Sequence, residues 1–474
     1  MSGPRTLIPR RATPAAEPLA PADVSALIDD RPLDGAFRVH RAAFSDPRVF
    51  ELEMKYIFES SWVFLGLASQ LPKPHDYLTT TIGRQPVAVM RDGEGRLNAF
   101  LNSCRHKGAI ICPLMSGNRK LHVCSYHGWS YDSAGRNRAI KGRAEGAYGQ
   151  AFETESHDLA ALPRFGQYRG LLFGSLSADV PSLEDYLGDA RKLIDLAVDQ
   201  SEEGLELVPG YVTFTFNGNW KLQLENCSDA YHFTSTHPSY LRVLDRRVAS
   251  QGSGGAIRSV WDNDRPFESG AKGVTNGTFS FANGHVLNWS ISQPSDAHPL
   301  FERIEELTRR FGETRRNWMF GTRNLTLFPN VQLAENASSQ LRIIRPLAPD
   351  KTEMLTYCMA PIGESAEARR RRIRQYEDFF NPSGMATPDD AVLYEDCQAG
   401  HRTPIAEWLQ GYSRGAGAAS AAANPLTEGL GIAPQSSVLG GPDLCDESVF
   451  HTYYRSWRDR LVRGIERSNQ GAPR

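Results

Sequence analysis

Residues 104–129 read CRHKGAIICPLMSGNRKLHVCSYHGW. Cys104 and His106 are separated by one residue, Cys124 and His127 by two, and seventeen residues stand between the two pairs. Each pair is followed closely by a glycine, Gly108 or Gly128, so the backbone is free to bend tightly around whatever the side chains hold. The flanking text, YLTTTIG, QPVAVMRDGEGRLNAFLN and KLHVCSYHGWSYDSAG, is made of short apolar runs broken by the turn signals DGEG and DSAG. It predicts a small, mostly antiparallel β domain over residues 61–172, with each Cys/His pair at a hairpin tip.

Two cysteines and two histidines suit zinc or an iron–sulfur cluster. A zinc finger usually groups Cys with Cys and His with His. Here each loop offers one of each, so two facing loops can give two thiolates to one iron and two imidazoles to another. That is the ligand set of a Rieske [2Fe–2S] centre, carried by Cys104, His106, Cys124 and His127. A zinc knuckle on the same four residues is the alternative. Cys112 and His122 fit neither spacing and read as packed core or surface residues.

Outward from this domain the text changes. The N-terminus, MSGPRTLIPRRATPAAEPLAPA, lacks the apolar core of a signal peptide, and five prolines in the first 21 residues oppose a transit helix. Residues 1–32 are therefore expected to form a disordered tail on a cytoplasmic protein. Residues 33–60 read as an extended piece and then an amphipathic helix that packs on the catalytic domain. Ser45 is its expected N-cap, and Val49, Phe50, Met54 and Ile57 follow at helical spacing. Over residues 173–474 a helical linker, with Leu183, Leu187, Ala190 and Ile194 along one face, precedes alternating strands and helices. The whole is expected to be an α+β fold, the β domain followed by an antiparallel sheet flanked by helices. The stretch GYSRGAGAASAAANPLTEGLGIAPQSS reads as a long surface loop. Balanced charge (53 Lys+Arg against 55 Asp+Glu) argues against nucleic-acid binding, and no window approaches a membrane span. Seven scattered cysteines are too few for a disulfide scaffold.

A second constellation lies in NWKLQLENCSDAYHFTSTHP, residues 219–238. On a helix, Asp229 and His232 share a face. Pro238 pushes His237 out of the α region, so the helix should end near Thr236 and His237 can swing back towards His232. Two imidazoles and one carboxylate make the facial triad of non-haem Fe(II) oxygenases. Glu225 and Asp229 are local carboxylates better suited to supporting the ligands. The segment GMATPDD, residues 384–390, offers a more distant one. Thr387 reads as N-cap and Pro388 as the first helical residue, and either Asp389 or Asp390 can be the ligand.

Together these residues resemble the catalytic large (α) subunit of Rieske non-haem iron ring-hydroxylating oxygenases, within them the benzoate/anthranilate dioxygenase group. FELEMKYIFESSWVFLG, IGRQPV, KLQLEN, ARRRRIRQYEDFFNPSGMATPDD and CQAG are similar to that group's text. The resemblance implies Asp390 as the third iron ligand beside His232 and His237, and Asp229 as the bridge to a Rieske histidine of a neighbouring subunit. It further implies a trimer of large subunits, usually with three small β subunits, and electrons from NADH through a separate reductase or ferredoxin. The expected reaction is hydroxylation of an aromatic carboxylate with O2 to a cis-diol or catechol. A monooxygenase of the same family, of the salicylate hydroxylase or demethylase type, is the alternative. The group tends to carry an aromatic residue after the second histidine, whereas this chain has Pro238 and Ser239.

A carboxylated substrate calls for a cation near the pocket. Arg323, Arg342 and Arg345 fall in predicted core strands, where structural ion pairs compete with substrate binding as their purpose. The run Arg369 to Arg372 reads as a solvated helix face or a subunit contact. A pure electron carrier would need no His232/His237/Asp390 site.

Overall fold

The computed structural model describes residues 17–250, 257–261, 275–403, 405–440 and 446–471. The region around the first motif is a set of antiparallel ribbons. Leu97–Leu101, Gln85–Arg91, Asp76–Ile82 and Ser116–Asn118 pair in that order, and Asn137–Ala139, Ser130–Asp132 and Leu121–Val123 form a second small sheet. The two Cys/His loops leave the ends of these sheets. A third ribbon, of Arg164–Tyr168, Leu171–Ser175 and Val63–Leu67, abuts the larger, C-terminal part, where Asn330 exchanges hydrogen bonds with the Phe64 backbone.

The larger, C-terminal part is built on a sheet of nine strands among the described residues, all antiparallel. Its centre runs Lys351–Pro361, Ser339–Ala348, Val331–Glu335, Thr322–Leu327, Val286–Ile291 and Thr275–Ser280. Period-2 alternation gives this sheet two unlike faces. Leu287, Trp289, Leu325, Leu333, Leu341 and Leu355 bury one face against the helices around Leu187 and Ile194. Register aligns the other side chains, Asn288 with Asn324, Thr326 with Gln332, and Gln332 with Arg342. That second face is polar, and the helix Trp220–Asn226 lies over it. Gln332 donates there to the carbonyls of Gln223 and Leu224 at 3.2 and 3.1 Å, so the buried amide is satisfied.

Several expectations need correction. Residues 1–16 of the expected tail lie outside the described residues, but Pro21–Ser25 is a helix and Ile28–Arg31 a strand paired with Ala36–His40. Val24 and Ile28 are buried and Asp30 takes two 2.7 Å hydrogen bonds from Arg455, so the C-terminal helix supplies the partners that order the segment. The following helix is Pro47–Glu53, continued by a π-turn over Met54–Phe58, and its cap is Asp46 rather than Ser45, accepting from the Arg48 N–H. The Gly/Ala/Ser-rich stretch is not all loop, since it holds the helix Pro425–Leu430 and begins the edge strand Ser436–Gly440. In the arginine run, Arg372 is 1% exposed and ion-paired to Glu364 at 2.9 Å, which removes it from any solvated face.

Candidate functional site

The two Cys/His loops are built alike. The Cys104 N–H donates to Ala109 and the Gly108 N–H to Cys104, at 2.8 and 2.9 Å. Cys124 to Trp129 and Gly128 to Cys124 repeat the same distances. Both glycines sit at φ +77°, a conformation that only glycine adopts without strain. This geometry buries both thiols at 3% exposure and brings the His106 and His127 rings to 4.3 Å between centroids. The Nδ1 atoms of both rings are buried with no hydrogen-bond partner among the described residues. Two orphaned imidazole nitrogens beside two buried thiols are costly unless a ligand takes them, and a two-iron cluster with one iron on the two histidines and the other on the two cysteines fits. Trp129 stacks on His106, and the Tyr131 hydroxyl lies 3.3 Å from Cys104 Sγ. Cys112 and His122 are elsewhere engaged, Sγ to Nδ1 at 3.3 Å; burial pushes the thiol up to about 12 and the imidazole down to about 4.

The second motif does not form one helix. Trp220–Asn226 ends, residues 227–232 turn, and a short helix Phe233–Thr236 follows before Pro238–Ala249. Asp229 breaks the helix locally by accepting from the Tyr231 N–H at 2.6 Å. It nevertheless reaches His232 Nδ1 at 3.1 Å. His237 has φ −110° and ψ 35°, outside the α region as the following proline requires. Its Nε2 lies 3.2 Å from Asp390 Oδ1, and His232 Nε2 lies 3.6 Å from the same oxygen. One donor atom from each of these three residues lies within 4.8 Å of the others, compact enough for one metal ion. Asp390 is carried by the helix Thr387–Gly400, whose cap is Ala386 rather than Thr387.

Orientation of the imidazoles follows from their outer nitrogens. His232 Nδ1 faces Asp229 and His237 Nδ1 faces Asp389 at 3.5 Å, so each ring turns its Nε2 inward. Burial works to lower the His232 pKa, but the hydrogen bond and charge of Asp229 raise it on balance. Burial would likewise raise Asp390, but the contact with His237 and the charges of His232, His237 and Arg342 hold it below the usual carboxylate range. Asn226, which the motif reading passed over, donates to Asp390 Oδ1 at 3.1 Å and to His232 Nε2 at 3.3 Å. Its only sequence signal is a polar residue three before Asp229. Glu225 points away, taking hydrogen bonds from Tyr412 and Tyr454.

These residues open into a cleft enclosing about 660 Å³ of empty space, part of it open to solvent. Phe233, Trp261 and Phe379 supply an aromatic wall, and Asn288, Asn324 and Arg342 come from the polar face of the sheet.

A Rieske-type cluster site and a His/His/carboxylate iron site on one chain define a Rieske non-haem iron oxygenase. Comparison with known proteins gives the family. The model of the ring hydroxylating alpha subunit (catalytic domain) matches residues 183–461, and that of the Rieske [2Fe-2S] domain matches residues 61–158. The chain is 41% identical over 455 residues to the toluate 1,2-dioxygenase subunit alpha of Pseudomonas putida, covering 94% of this chain and 95% of that one. It is 39% identical over 448 residues to the anthranilate 1,2-dioxygenase large subunit of Acinetobacter baylyi, covering 94% and 93%. Naphthalene 1,2-dioxygenase from Rhodococcus sp., solved with indole bound, superposes with a TM-score of 0.75 at 25% identity, over 90% of this chain and 94% of that one. The chain belongs to the ring-hydroxylating dioxygenase family as a large, catalytic subunit, and the family's cofactors are the Rieske [2Fe–2S] cluster and a mononuclear non-haem iron. Among the described residues no helix is long and apolar enough to cross a membrane.

Proposed function

We propose that this chain is the terminal oxygenase that hydroxylates a benzoate-like aromatic carboxylate with O2, giving a cis-diol or catechol. The observation that carries the reading is similarity at about 40% identity, over nearly the whole chain, to dioxygenase subunits named for toluate and anthranilate. Both names denote ring carboxylates. Cys104, His106, Cys124 and His127 hold the cluster in this reading, and His232 Nε2, His237 Nε2 and Asp390 Oδ1 hold the iron. When bound, the two centres supply one-electron transfer and open coordination positions for oxygen. Asp229 and Asp389 fix the imidazole orientations, Asn226 steadies Asp390, and Phe233, Trp261 and Phe379 form a wall against which the ring lies and from which water is excluded. Asp229 also bridges to a Rieske histidine of a neighbouring subunit.

The working protein in this reading is a cytoplasmic trimer of large subunits with three small β subunits, fed from NADH by a reductase or ferredoxin. Its chain divides into a 33–60 segment, a Rieske domain over 61–172 and a catalytic domain over 173–474. The test is a single turnover of pre-reduced holoprotein under isotopic oxygen with benzoate, anthranilate, salicylate and phthalate-type acids, followed by mass spectrometry. Two labels in one product are expected. A single label would favour the monooxygenase alternative, and no product from protein holding both kinds of iron would reject an aromatic acid as substrate.

A further inference from the structure

Of the three arginines in the sheet, two are engaged on the face away from the cleft. Arg323 pairs with Glu335 at 2.5 Å and Arg345 with Glu353 at 3.2 Å. Arg342 lies on the opposite, polar face, in register with Gln332 and Thr356. It lines the same cleft as His232, His237 and Asp390, and forms no ion pair among the described residues. Its Nε donates to Gln340 at 2.6 Å, and its guanidinium lies 5.4 Å from the Phe380 ring centroid. These two neighbours hold the plane of the group, while Nη1 and Nη2 have no hydrogen-bond partner among the described residues.

A half-buried guanidinium whose two ends are unpaired offers a fork that matches a carboxylate in a bidentate pair. Phe233 and Phe379 in the same cleft suit the ring such a carboxylate would carry. Asn288 is the other candidate for the anion: it is 3% exposed, lines the cleft and has an unpartnered Nδ2. A neutral amide gains less from an anion than a guanidinium does.

We propose that Arg342 binds the carboxylate of the substrate and so determines which edge of the ring is presented to His232, His237 and Asp390. This rests on the aromatic-carboxylate reading above. Arg342 is a specificity-determining residue in this proposal, and the substrate arrives as an anion.

The test compares benzoate with its neutral isostere benzamide, titrated into wild-type and variant holoprotein. Binding is followed by the change each ligand causes in the EPR spectrum of the ferrous–nitric oxide site, and iron and cluster content are measured in parallel. Arg342→Gln should weaken benzoate about tenfold or more, leave benzamide within about twofold, and keep both metal centres; Arg342→Lys should fall between. If Arg342→Gln is poorly folded, the same selective loss must appear in Arg342→Lys. Equal weakening of both ligands, or loss of iron, would mean that Arg342 only balances the charge of Asp390, and would overturn the proposal. So would unchanged benzoate binding in Arg342→Gln, with selective loss in Asn288→Leu; the aromatic-carboxylate reading would then stand. Wild-type protein that binds and turns over neutral rings but no acid would overturn both.

Discussion

Asp389 and Asp390 are sequence neighbours in opposite situations. Asp390 is 9% exposed with Oδ1 among the two histidine Nε2 atoms and the Asn226 amide, whereas Asp389 is more open and reaches only the outer nitrogen of His237. Asp390→Ala should therefore abolish mononuclear iron binding with the Rieske EPR signal intact. Asp389→Asn should retain the site with affinity lowered about 10- to 100-fold, the usual cost of removing a carboxylate behind a ligating histidine, as read by metal analysis after dialysis. Glu225 offers a separate test. Burial pushes its carboxyl up to about 8, with a further push from Glu447, against the hydrogen bonds of Tyr454 and Tyr412 and the charge of Lys221. A carboxyl whose folded pKa is raised holds its proton more tightly in the folded state. Its contribution is complete below the ordinary value near 4.5 and is lost as pH rises through about 8. The Tm of wild-type protein should thus fall between about pH 4.5 and pH 8, the interval in which the unfolded but not the folded carboxyl is ionised, and Glu225→Gln should flatten the decline.

At the scale of elements, the helix Pro47–Glu53, the helix Trp220–Asn226 and the C-terminal helix His451–Asn469 meet on one buried carboxylate. Glu53, 0% exposed, accepts from Lys221 Nζ at 2.5 Å, from Trp457 Nε1 at 2.7 Å and from Trp220 Nε1 at 2.9 Å. Removing one partner strands the other charge out of water. Glu53→Ala should cost about 3–5 kcal/mol in denaturant unfolding, and the double variant Glu53→Leu/Lys221→Met should recover only the part owed to the stranded charge, because the Trp220 and Trp457 indoles still lose their acceptor. None of this was legible in the sequence, because its partners stand 168 and 404 residues from Glu53. The same long reach orders residues 21–31, which composition alone assigns to a tail. The Cys/His loops were legible because their cysteines, histidines and turn glycines are local. His232 and His237 were legible because Pro238 fixes the backbone between them. The reading of GMATPDD offered Asp389 and Asp390 alike, and only the resemblance chose Asp390, since no spacing rule links residue 232 to residue 390. Asn226 and the polar sheet face escaped notice because an isolated amide in a strand or helix carries no motif.

For the whole molecule, the two centres stand on separately built supports, and Asp229 is the residue proposed to connect them between subunits. It touches His232 yet keeps about 16% side-chain exposure, enough surface for an external partner. Asp229→Ala is expected to retain both kinds of iron and the Rieske spectrum while product formed per reduced cluster in a single turnover falls by about tenfold or more. Product formation at the wild-type level would remove Asp229 from the electron route. The sheet beneath the cleft has a consequence of another kind. Along Val286–Ile291, Thr322–Leu327, Val331–Glu335 and Ser339–Ala348, the residues that border the cleft carry even numbers, and those packed in the core on the opposite face, around Leu187 and Ile194, carry odd ones. Heritable change can therefore act on the two sets independently. Drift at even positions such as 288, 324 and 342 can retune what the enzyme consumes while the odd positions keep the chain folded. A lineage built on this sheet can diversify its diet without first gambling its stability.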